Sequence, residues 1–388
     1  MTDKKLKIGL FIDSYFPMID GVVVVVDNYA KILNKEHKAF VAAPGKEKDN
    51  SNLNYKVHRC MQISNKHWSY SLPIPSLDNK FKKDIKKEKP DIIHLHSPFG
   101  VGVQGLKLAK KQNIPVVATI HSQFDQDFYK ATKSKLLTKI LIKKIIKVYN
   151  ACDEVFVMNK KLEELLFSYG YKGKTRLISN ATDMDYPKNP QELLDKANKT
   201  FNFTKNESVF LFVGRLIENK GILFLVKVMK VLKDNNFKCK MLFIGAGLDK
   251  QKLTQLVKKL NLENEVIIAG RVSERAILSS AYLRSDLFLF PSKYDTDGLV
   301  RKEAGAHKTP SLLAKNTMAG SLVIDNDTGF LAEFDEQKYA NKIMQIMNNK
   351  ELLKKVSENT YNKEHITWQN AVNNAQKAYK QIIKDYKN

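Results

Sequence analysis

Short apolar runs, each about as long as one strand, recur along the chain and are separated by stretches with helical periodicity. In the first half these runs are Lys7–Asp13, Ala39–Pro44, Asp91–His96, Pro115–His121 and Glu154–Met158. In the second half they are Val209–Val213, Lys240–Ile244, Glu265–Ala269, Leu287–Phe290 and Ser311–Leu313. Strands that alternate with helices usually form a parallel sheet with helices on both faces. The pattern therefore predicts an α/β protein with two doubly wound domains.

A polar segment separates the two series of strands. Residues 180–204 carry Pro187 and Pro190 and contain no long apolar run, so we interpret them as the linker. The expected domains are residues 1–185 and 205–365, and the 388 residues suffice for a core in each. The last segment, from Trp368 to Tyr386, reads as a helix of mixed character.

The charge of the chain is strongly positive and depends mainly on lysine. The net charge is +24, and only seven of the 65 basic residues are Arg. Surfaces that bind phosphates and bases in a bidentate manner favour Arg. The sequence also has no helix-turn-helix, zinc or ribonucleoprotein motif. We therefore expect no nucleic-acid partner.

The basic residues concentrate in the N-terminal half, and one segment there has the pattern of a basic amphipathic helix. Residues 128–150 contain seven lysines and no acid. One predicted stripe is apolar and comprises Leu137, Leu141, Ile145 and Val148; another is basic and comprises Lys135, Lys139, Lys143 and Lys147. Such a helix can dock on an anionic membrane surface. Equally, its apolar stripe can pack on the domain's own sheet while the lysines are solvated, and both interpretations stay open.

Cellular context follows from features that the sequence lacks. Three widely spaced cysteines suggest neither a disulfide framework nor a metal site. His94 and His96 alternate on one predicted strand without a third partner at metal-ligand spacing, so we assign no metal. The first residues have no signal-peptide pattern, and no run reaches the roughly 18 apolar residues of a membrane-spanning helix. We expect a cytoplasmic protein.

A strand-to-helix turn in the last third of the chain has the features of a phosphate site. From Phe290 the sequence reads Phe-Pro-Ser-Lys-Tyr-Asp-Thr-Asp-Gly-Leu-Val-Arg-Lys-Glu-Ala. Pro291 ends the strand, and Gly298 provides a permissive backbone where a helix can begin. The free amides of such a helix start, here those of Leu299 and Val300, suit a phosphate.

Two carboxylates flank this turn. Asp295 and Glu303 lie eight positions apart, one in the loop and one inside the helix, so both can face the same cleft. One acid can accept hydrogen bonds from sugar hydroxyls and the other from a ribose diol, with the diphosphate between them. The arrangement suits a sugar nucleotide.

Further candidates lie in strand-to-helix loops of the second half. Arg215 and Lys220 follow the first strand, where ligands of open α/β sheets bind, and both cations should face the cleft. Gly214 precedes them, Gly247 lies in the turn after the next strand and Arg271 follows the third strand.

These motifs resemble those of the family 4 glycosyltransferases, which have the GT-B fold. The turn from Phe290 is similar to the family signature P-S-x-x-E-x-x-G-L-v-x-x-E-A, with Asp295 at the position of the first Glu. The loop from Gly214 to Gly221 is similar to G-R-l-x-x-x-K-G, and Ile244–Gly247 to i-G-x-G. The resemblance implies two Rossmann-like domains facing a central cleft, with the C-terminal helix, residues 370–388, crossing back to the first domain.

The first half resembles the same family at two places. Pro17–Val22 is similar to P-x-x-G-G-v, with Asp20 in place of the first glycine; the resemblance places Gly21 under the donor phosphates and Asp20 near the acceptor. His121-Ser-Gln-Phe is similar to the loop whose His approaches the transferred sugar, and we add His96 as a second acceptor-side candidate.

The resemblance also implies roles and a reaction. Arg215 and Lys220 would hold the diphosphate, and Arg271 would lie beside the nucleobase. The N-terminal domain would bind the acceptor and the C-terminal domain the nucleotide-sugar. The expected reaction is metal-independent transfer of a hexose, most simply glucose, from a UDP-sugar with retention of configuration, and no cofactor is required.

For the acceptor, the resemblance is greatest to bacterial diacylglycerol glucosyltransferases, which implies a membrane lipid and a peripheral position on the inner face of the cell membrane. One alternative is a lipid-linked capsule or cell-wall intermediate. Another is a non-catalytic GT-B protein that only binds sugar nucleotides.

Overall fold

The computed structural model describes residues 5–64 and 71–387. It separates into two compact units. Unit 1 comprises Met1–Asn180 and Trp368–Asn388, and unit 2 comprises Ala181–Thr367.

Unit 1 is built on a seven-stranded parallel sheet. Its strands are β1 (Lys7–Phe11), β2 (Lys38–Pro44), β3 (Lys56–Cys60), β6 (Ile92–Leu95), β7 (Val116–Thr119), β8 (Glu154–Val157) and β9 (Lys174–Leu177). A separate hairpin pairs β4 (Gln62–Ile63) with β5 (Leu72–Pro73). The strand order in the sheet is β3-β2-β1-β6-β7-β8-β9, so the winding direction reverses between β1 and β6.

Helices flank this sheet, and one of them comes from the C-terminus. The helices are α1 (Gly21–Glu36), α2 (Asn79–Glu88), α3 (Gly100–Gln112), α4 (Phe124–Thr132), α5 (Lys135–Tyr149), α6 (Lys160–Ser168) and α14 (Trp368–Lys387). The buried apolar residues of α14 form one stripe along the helix: Trp368, Ala371, Val372, Ala375, Ala378, Tyr379, Ile382 and Ile383. This stripe packs within unit 1, and the Tyr379 hydroxyl lies 2.6 Å from Nδ1 of His94 on β6. The last helix therefore completes the core of the unit in which the chain begins.

Unit 2 has a six-stranded parallel sheet. Its strands are β10 (Ser208–Val213), β11 (Cys239–Ile244), β12 (Val266–Gly270), β13 (Leu287–Phe290), β14 (Ser311–Ala314) and β15 (Phe330–Ala332). The strand order is β12-β11-β10-β13-β14-β15, with the reversal between β10 and β13. The central strands are covered on both faces, and Phe210, Phe212, Phe243 and Phe288 are fully buried. Burial on both faces explains why these strands read as continuous apolar runs.

The helices of unit 2 include one inside the segment interpreted as a linker. They are α7 (Pro190–Phe201), α8 (Ile222–Asp234), α9 (Lys250–Lys259), α10 (Arg275–Arg284), α11 (Leu299–Ala306), α12 (Glu336–Asn348) and α13 (Lys350–Glu364). In α7 the proline occupies the first turn, where a missing N–H costs nothing. Ala197 and Phe201 of α7 are buried, and Arg284 of α10 donates to Asn198 at 2.8 Å. Proline here starts a packed helix of unit 2.

The predicted apolar stripe of α5 is wrong in part: Ile145 is buried as expected, whereas Leu137 is exposed. The residues buried against unit 1 are Thr138, Ile142, Ile145, Ile146 and Tyr149. Leu137, which we placed in the stripe, is 49% exposed. Leu136 and Ile140 are exposed as well, at 69% and 42%. This helix has two apolar faces, with lysines between them. The periodicity alone did not show which of the two faces the protein buries. The helix thus buries one apolar face and exposes a second one.

Candidate active site

The reversal of strand order in unit 2 creates a crevice at the carboxyl ends of β10 and β13. From β10 the chain winds outward through β11 and β12, and from β13 it winds the other way through β14 and β15. The loops after β10 and β13, residues 214–221 and 291–298, therefore leave the sheet in opposite directions. Ligands of open α/β sheets bind at such a point.

Two predicted site residues meet across this crevice. The Lys220 ammonium forms an ion pair with Oδ1 of Asp295, and the side chains are 10% and 16% exposed. Nζ of Lys220 also lies 5.8 Å and 5.6 Å from the ring centroids of Phe290 and Tyr294. The second carboxylate oxygen of Asp295, Oδ2, is buried without a hydrogen-bond partner in the described part of the chain. The structure thus joins a cation and an acid that are 75 positions apart.

The start of α11 lies on the β13 side of this crevice and has no side-chain cap. Gly298 precedes it with φ +68°, a left-handed conformation that favours glycine. A Cβ atom at Gly298 would also lie 3.1 Å from the Phe290 ring. No side chain accepts from the first amides, those of Leu299 and Val300, in the described residues. The helix start can bind an anion through these amides and the helix dipole.

Glu303 lies in the second turn of α11 and is held by a buried tyrosine. The Tyr282 hydroxyl donates to Oε2 of Glu303 at 2.7 Å. Burial raises the pKa of Glu303, and the negative charge of Asp183 raises it further, while the Tyr282 hydrogen bond and Arg275 oppose this rise. Sequence analysis missed Tyr282, because a tyrosine inside a helix gives no motif signal.

The glycine turns of the β10 and β11 loops allow backbone segments to touch. Gly214 has φ +155° and Gly245 has φ +148°. A Cβ atom at Gly245 would lie 1.8 Å from the carbonyl oxygen of Gly214, and one at Gly247 would lie 2.3 Å from that of Leu216. These contacts leave no room for a side chain, so the glycines set the shape of the two loops.

Two arginines on the same sheet edge are exposed. Arg215 follows β10 and Arg271 follows β12. Within residues 5–64 and 71–387, neither guanidinium has a side-chain hydrogen bond or ion pair. Both cations are therefore available to an anionic ligand at the carboxyl edge of the sheet.

In unit 1 the corresponding crevice is filled by an acid of the chain itself. Asp13 follows β1, and its carboxylate accepts from Ser97 Oγ at 2.6 Å and from the Val101 amide at 2.6 Å. Burial raises the pKa of Asp13, and these hydrogen bonds oppose the rise. The start of α3 thus already has an anion, and sequence analysis did not single out this residue. The uncapped helix start of unit 2 is the better phosphate site.

Asp20 and Gly21 lie at the start of α1. Asp20 is the N-cap residue, and its Oδ1 accepts from the Val23 amide at 2.9 Å. Gly21 is the first residue of the helix. A capping carboxylate is an ordinary structural role, so the Asp20 carboxylate has a partner independent of any acceptor.

His96 and His121 lie together at the carboxyl ends of β6 and β7. Nδ1 of His96 is 3.2 Å from Nε2 of His121, and their rings are stacked with centroids 5.5 Å apart. His94 and His96 lie side by side on the same surface, since their ring centroids are 4.0 Å apart. Residues two apart in an extended chain project to the same face, so the spacing of the two histidines itself accounts for the contact between their rings. Burial and neighbouring histidines keep the pKa values of His94 and His96 well below the usual value.

The basic helix α5 presents charge and apolar groups together. The four lysines singled out from the sequence, Lys135, Lys139, Lys143 and Lys147, are all exposed. They flank the exposed Leu136, Leu137 and Ile140. In the described part of the chain no helix is long and apolar enough to cross a membrane.

Family models match both halves of the chain. "Glycosyltransferase Family 4" matches residues 19–186, and "Glycosyl transferases group 1" matches residues 195–363. The first match contains Asp20, Gly21, His96 and His121, and the second contains the crevice of unit 2.

Relatives and solved structures agree with these models. The alpha-monoglucosyldiacylglycerol synthases of Streptococcus pneumoniae and Acholeplasma laidlawii are each 26% identical to this chain. The first covers 88% of this chain and 78% of the relative, and the second 91% of each. A UDP-Gal:alpha-D-GlcNAc-diphosphoundecaprenol alpha-1,3-galactosyltransferase of Escherichia coli is 26% identical over 72% of each chain. The structure of Anabaena HepE in complex with UDP and glucose superposes with a TM-score of 0.77 at 18% identity, covering 97% of this chain and 100% of that one.

Two parallel sheets with a reversal in each, together with these matches, give one conclusion: the chain belongs to the family 4 glycosyltransferases and has the GT-B fold.

Proposed function

We propose that this glycosyltransferase transfers glucose from UDP-glucose to a membrane lipid such as diacylglycerol, with retention of configuration and without a metal ion. The observation that supports a nucleotide-sugar donor is the crevice of unit 2, where Lys220 and Asp295 meet beside the uncapped start of α11. A nucleoside diphosphate carries negative charge that the cations and amides of this surface can bind. A sugar has hydroxyls that can donate hydrogen bonds to its carboxylates.

The donor binds along the carboxyl edge of the unit 2 sheet. The diphosphate contacts the amides of Leu299 and Val300, and the ribose diol donates to Glu303. Arg271 lies on the β12 side of the same edge and contacts the base. A neighbour in fold was solved with UDP and glucose, which supports a uridine donor.

Cleavage of the bond between sugar and diphosphate places negative charge on the leaving group. Arg215, Lys220 and the amides at the start of α11 stabilise this charge as it forms, which is the role a metal ion would otherwise serve. The acceptor hydroxyl attacks from the face that the diphosphate leaves and transfers its proton to the departing phosphate. This route gives retention without a protein nucleophile, and His121 contacts the transferred sugar.

A lipid acceptor is supported by the relatives and by α5. Two relatives that cover most of the chain are glucosyldiacylglycerol synthases. On α5 the exposed Leu136, Leu137 and Ile140 insert among lipid headgroups while the lysines bind anionic phosphates. The protein then lies peripherally on the inner face of the cell membrane.

A second candidate is favoured by the Escherichia coli relative, whose acceptor is a diphosphoundecaprenol-linked saccharide. Its acceptor is also at a membrane, so α5 would serve either reaction. A non-catalytic sugar-nucleotide-binding protein would keep the donor contacts and release no nucleotide.

The test is release of UDP from UDP-glucose in the presence of EDTA. Vesicles of anionic lipid are supplied with diacylglycerol in one arm and a diphosphoundecaprenol-linked sugar in another, and plain vesicles serve as control. Release in the diacylglycerol arm alone establishes the glycolipid synthase, and release in the second arm alone establishes the other candidate. Binding of UDP-glucose without release in any arm supports the non-catalytic protein, and a requirement for Mg²⁺ removes the metal-independent mechanism.

A further inference from the structure

Lys220 and Asp295 are bound to each other, so a donor that uses either residue must compete for this pair. Among the described residues, Asp295 supplies the one side-chain acceptor that the Lys220 ammonium contacts. Both side chains are largely withdrawn from water. A diphosphate that approaches Lys220 therefore approaches the Asp295 carboxylate as well, and the two anions repel each other.

The ion pair with Lys220 leaves the second carboxylate oxygen of Asp295 without a hydrogen bond from the part of the chain that the structure describes. Oδ2 is buried and has no hydrogen-bond partner in the described residues. A buried carboxylate oxygen without a donor is unfavourable, and it becomes more so when the other oxygen loses its ammonium. Asp295 can release Lys220 at low cost only if another donor reaches it.

An intact nucleotide-sugar brings both groups that this exchange needs. Its diphosphate takes the Lys220 ammonium, and a sugar hydroxyl donates to Asp295. The nucleoside diphosphate that remains after transfer brings only the first group. With the product bound, Asp295 again has no donor except Lys220.

We propose that Asp295 is the internal counter-ion of Lys220, and that exchange of this partner makes the site bind the intact donor more tightly than the nucleoside diphosphate product. The inference rests on the proposed function for the identity of the donor. The counter-ion itself rests on the Lys220–Asp295 contact and on the unpartnered Oδ2. Competition for Lys220 weakens product binding, and release of the product becomes easier.

The experiment is calorimetric titration of the full chain with UDP-glucose, UDP and inorganic pyrophosphate. The wild-type chain binds UDP-glucose more tightly than UDP. In Asp295→Asn, Lys220 loses its competing carboxylate, so UDP and pyrophosphate bind about tenfold more tightly, since one lost charged hydrogen bond corresponds to about that factor. UDP-glucose gains nothing or binds more weakly, and the preference for the intact donor is lost.

Two variants serve as controls. Asp295→Glu keeps the carboxylate and should retain the wild-type order of affinities. Asp234→Asn makes the same chemical change in the exposed pair of Lys230 and Asp234 on α8 and should leave all three affinities unchanged.

Other outcomes overturn the proposal. Equal weakening of UDP and pyrophosphate by Asp295→Asn would mean that Asp295 only holds Lys220 in place. Unchanged affinity for UDP would mean that Asp295 contacts only the sugar. If the variant does not fold, a wild-type chain that binds UDP more tightly than UDP-glucose overturns the inference by itself. If pyrophosphate behaves as expected but UDP-glucose does not bind, the counter-ion stands and the proposed donor is wrong.

Discussion

Nδ1 of His96 lies 3.2 Å from Nε2 of His121, so a hydrogen bond joins the ends of two adjacent strands of unit 1. His96 is buried, and its Nε2 atom has no partner in the described part of the chain. A buried N–H without an acceptor is rarer than a buried acceptor without a donor. We therefore infer that the proton of neutral His96 is on Nδ1 and that His96 donates to His121.

This hydrogen bond determines the tautomer of His121. Since Nε2 accepts, the proton of the neutral His121 ring is on Nδ1, and His96 fixes the orientation of this ring. His96→Phe removes the hydrogen bond and keeps a ring of similar size in the pocket. We expect kcat to fall about tenfold with little change in KM for the donor, because the His121 ring loses the hydrogen bond that orients it.

The matched variant is His96→Asn, whose side-chain amide can donate from nearly the same place as Nδ1 and should restore most of the activity. Steady-state kinetics of both variants check the prediction. Equal losses in the Phe and Asn variants, with the same loss of thermal stability, would show a purely structural role for His96.

Tyr282 should control the pH at which the nucleotide is bound. Glu303 accepts the ribose hydroxyls best as a carboxylate, and burial raises the pKa of Glu303. Nucleotide affinity is therefore lost as the pH falls through this raised pKa, at a higher pH than for an ordinary glutamate. Because the Tyr282 hydrogen bond lowers the pKa of Glu303, Tyr282→Phe should shift the loss to still higher pH. Titration of UDP affinity against pH measures this shift.

Glu303→Gln is the control for this titration, because an amide does not ionise. Its affinity for UDP should be low and should not vary over the same pH range. A wild-type profile that is equally flat would contradict the role of Glu303 in binding.

The central strands could be predicted from sequence because they are buried on both faces. Each apolar run in the two series corresponds to a strand, for example Val209–Val213 within β10. Of the four edge strands, β12 was found because residues 266–269 are apolar, whereas β3, β9 and β15 could not be found in this way. Edge strands such as β3, Lys-Val-His-Arg-Cys, have one open side and use charged residues to prevent further pairing.

Part of the candidate site could also be predicted from the sequence. Arg215, Lys220 and Asp295 follow strands at the carboxyl edge of one sheet, and topology alone brings such loops together. The ion pair of Lys220 with Asp295 depends on side-chain conformations, and the sequence gives no information on these. The same holds for the hydrogen bond of Tyr282 to Glu303 and for the face of α5 that is buried.

The exposed face of α5 should bind anionic vesicles. Replacing Lys139 by Glu removes one cation and adds an anion, which should weaken binding by about 2 kcal/mol at low salt, since each nearby lysine contributes about 1 kcal/mol. Leu137→Ser should weaken binding at all salt concentrations, because it removes inserted apolar area. Sedimentation with vesicles that contain phosphatidylglycerol measures both effects.

Lys258→Glu on α9 of unit 2 is the matched control for charge, since Lys258 is an exposed helical lysine outside this surface. It should not change vesicle binding beyond the general effect of two charge units. If it weakens binding as much as Lys139→Glu, the attraction comes from the net charge of +24 and not from α5.

Gly245 should tolerate no side chain, whereas Gly270 should tolerate one at moderate cost. Both have positive φ, at +148° and +74°. For Gly270→Ala the nearest atom outside its chain neighbours is the flexible Lys250 Nζ at 3.8 Å, so the cost is the strained backbone alone, about 1 to 2 kcal/mol. At Gly245 the added Cβ would lie 1.8 Å from the Gly214 carbonyl oxygen, and the β10 and β11 loops would have to separate. We expect Gly245→Ala to lower the free energy of unfolding by at least about 4 kcal/mol. Urea denaturation measures the difference, and equal losses for the two variants would contradict the tight contact between these loops.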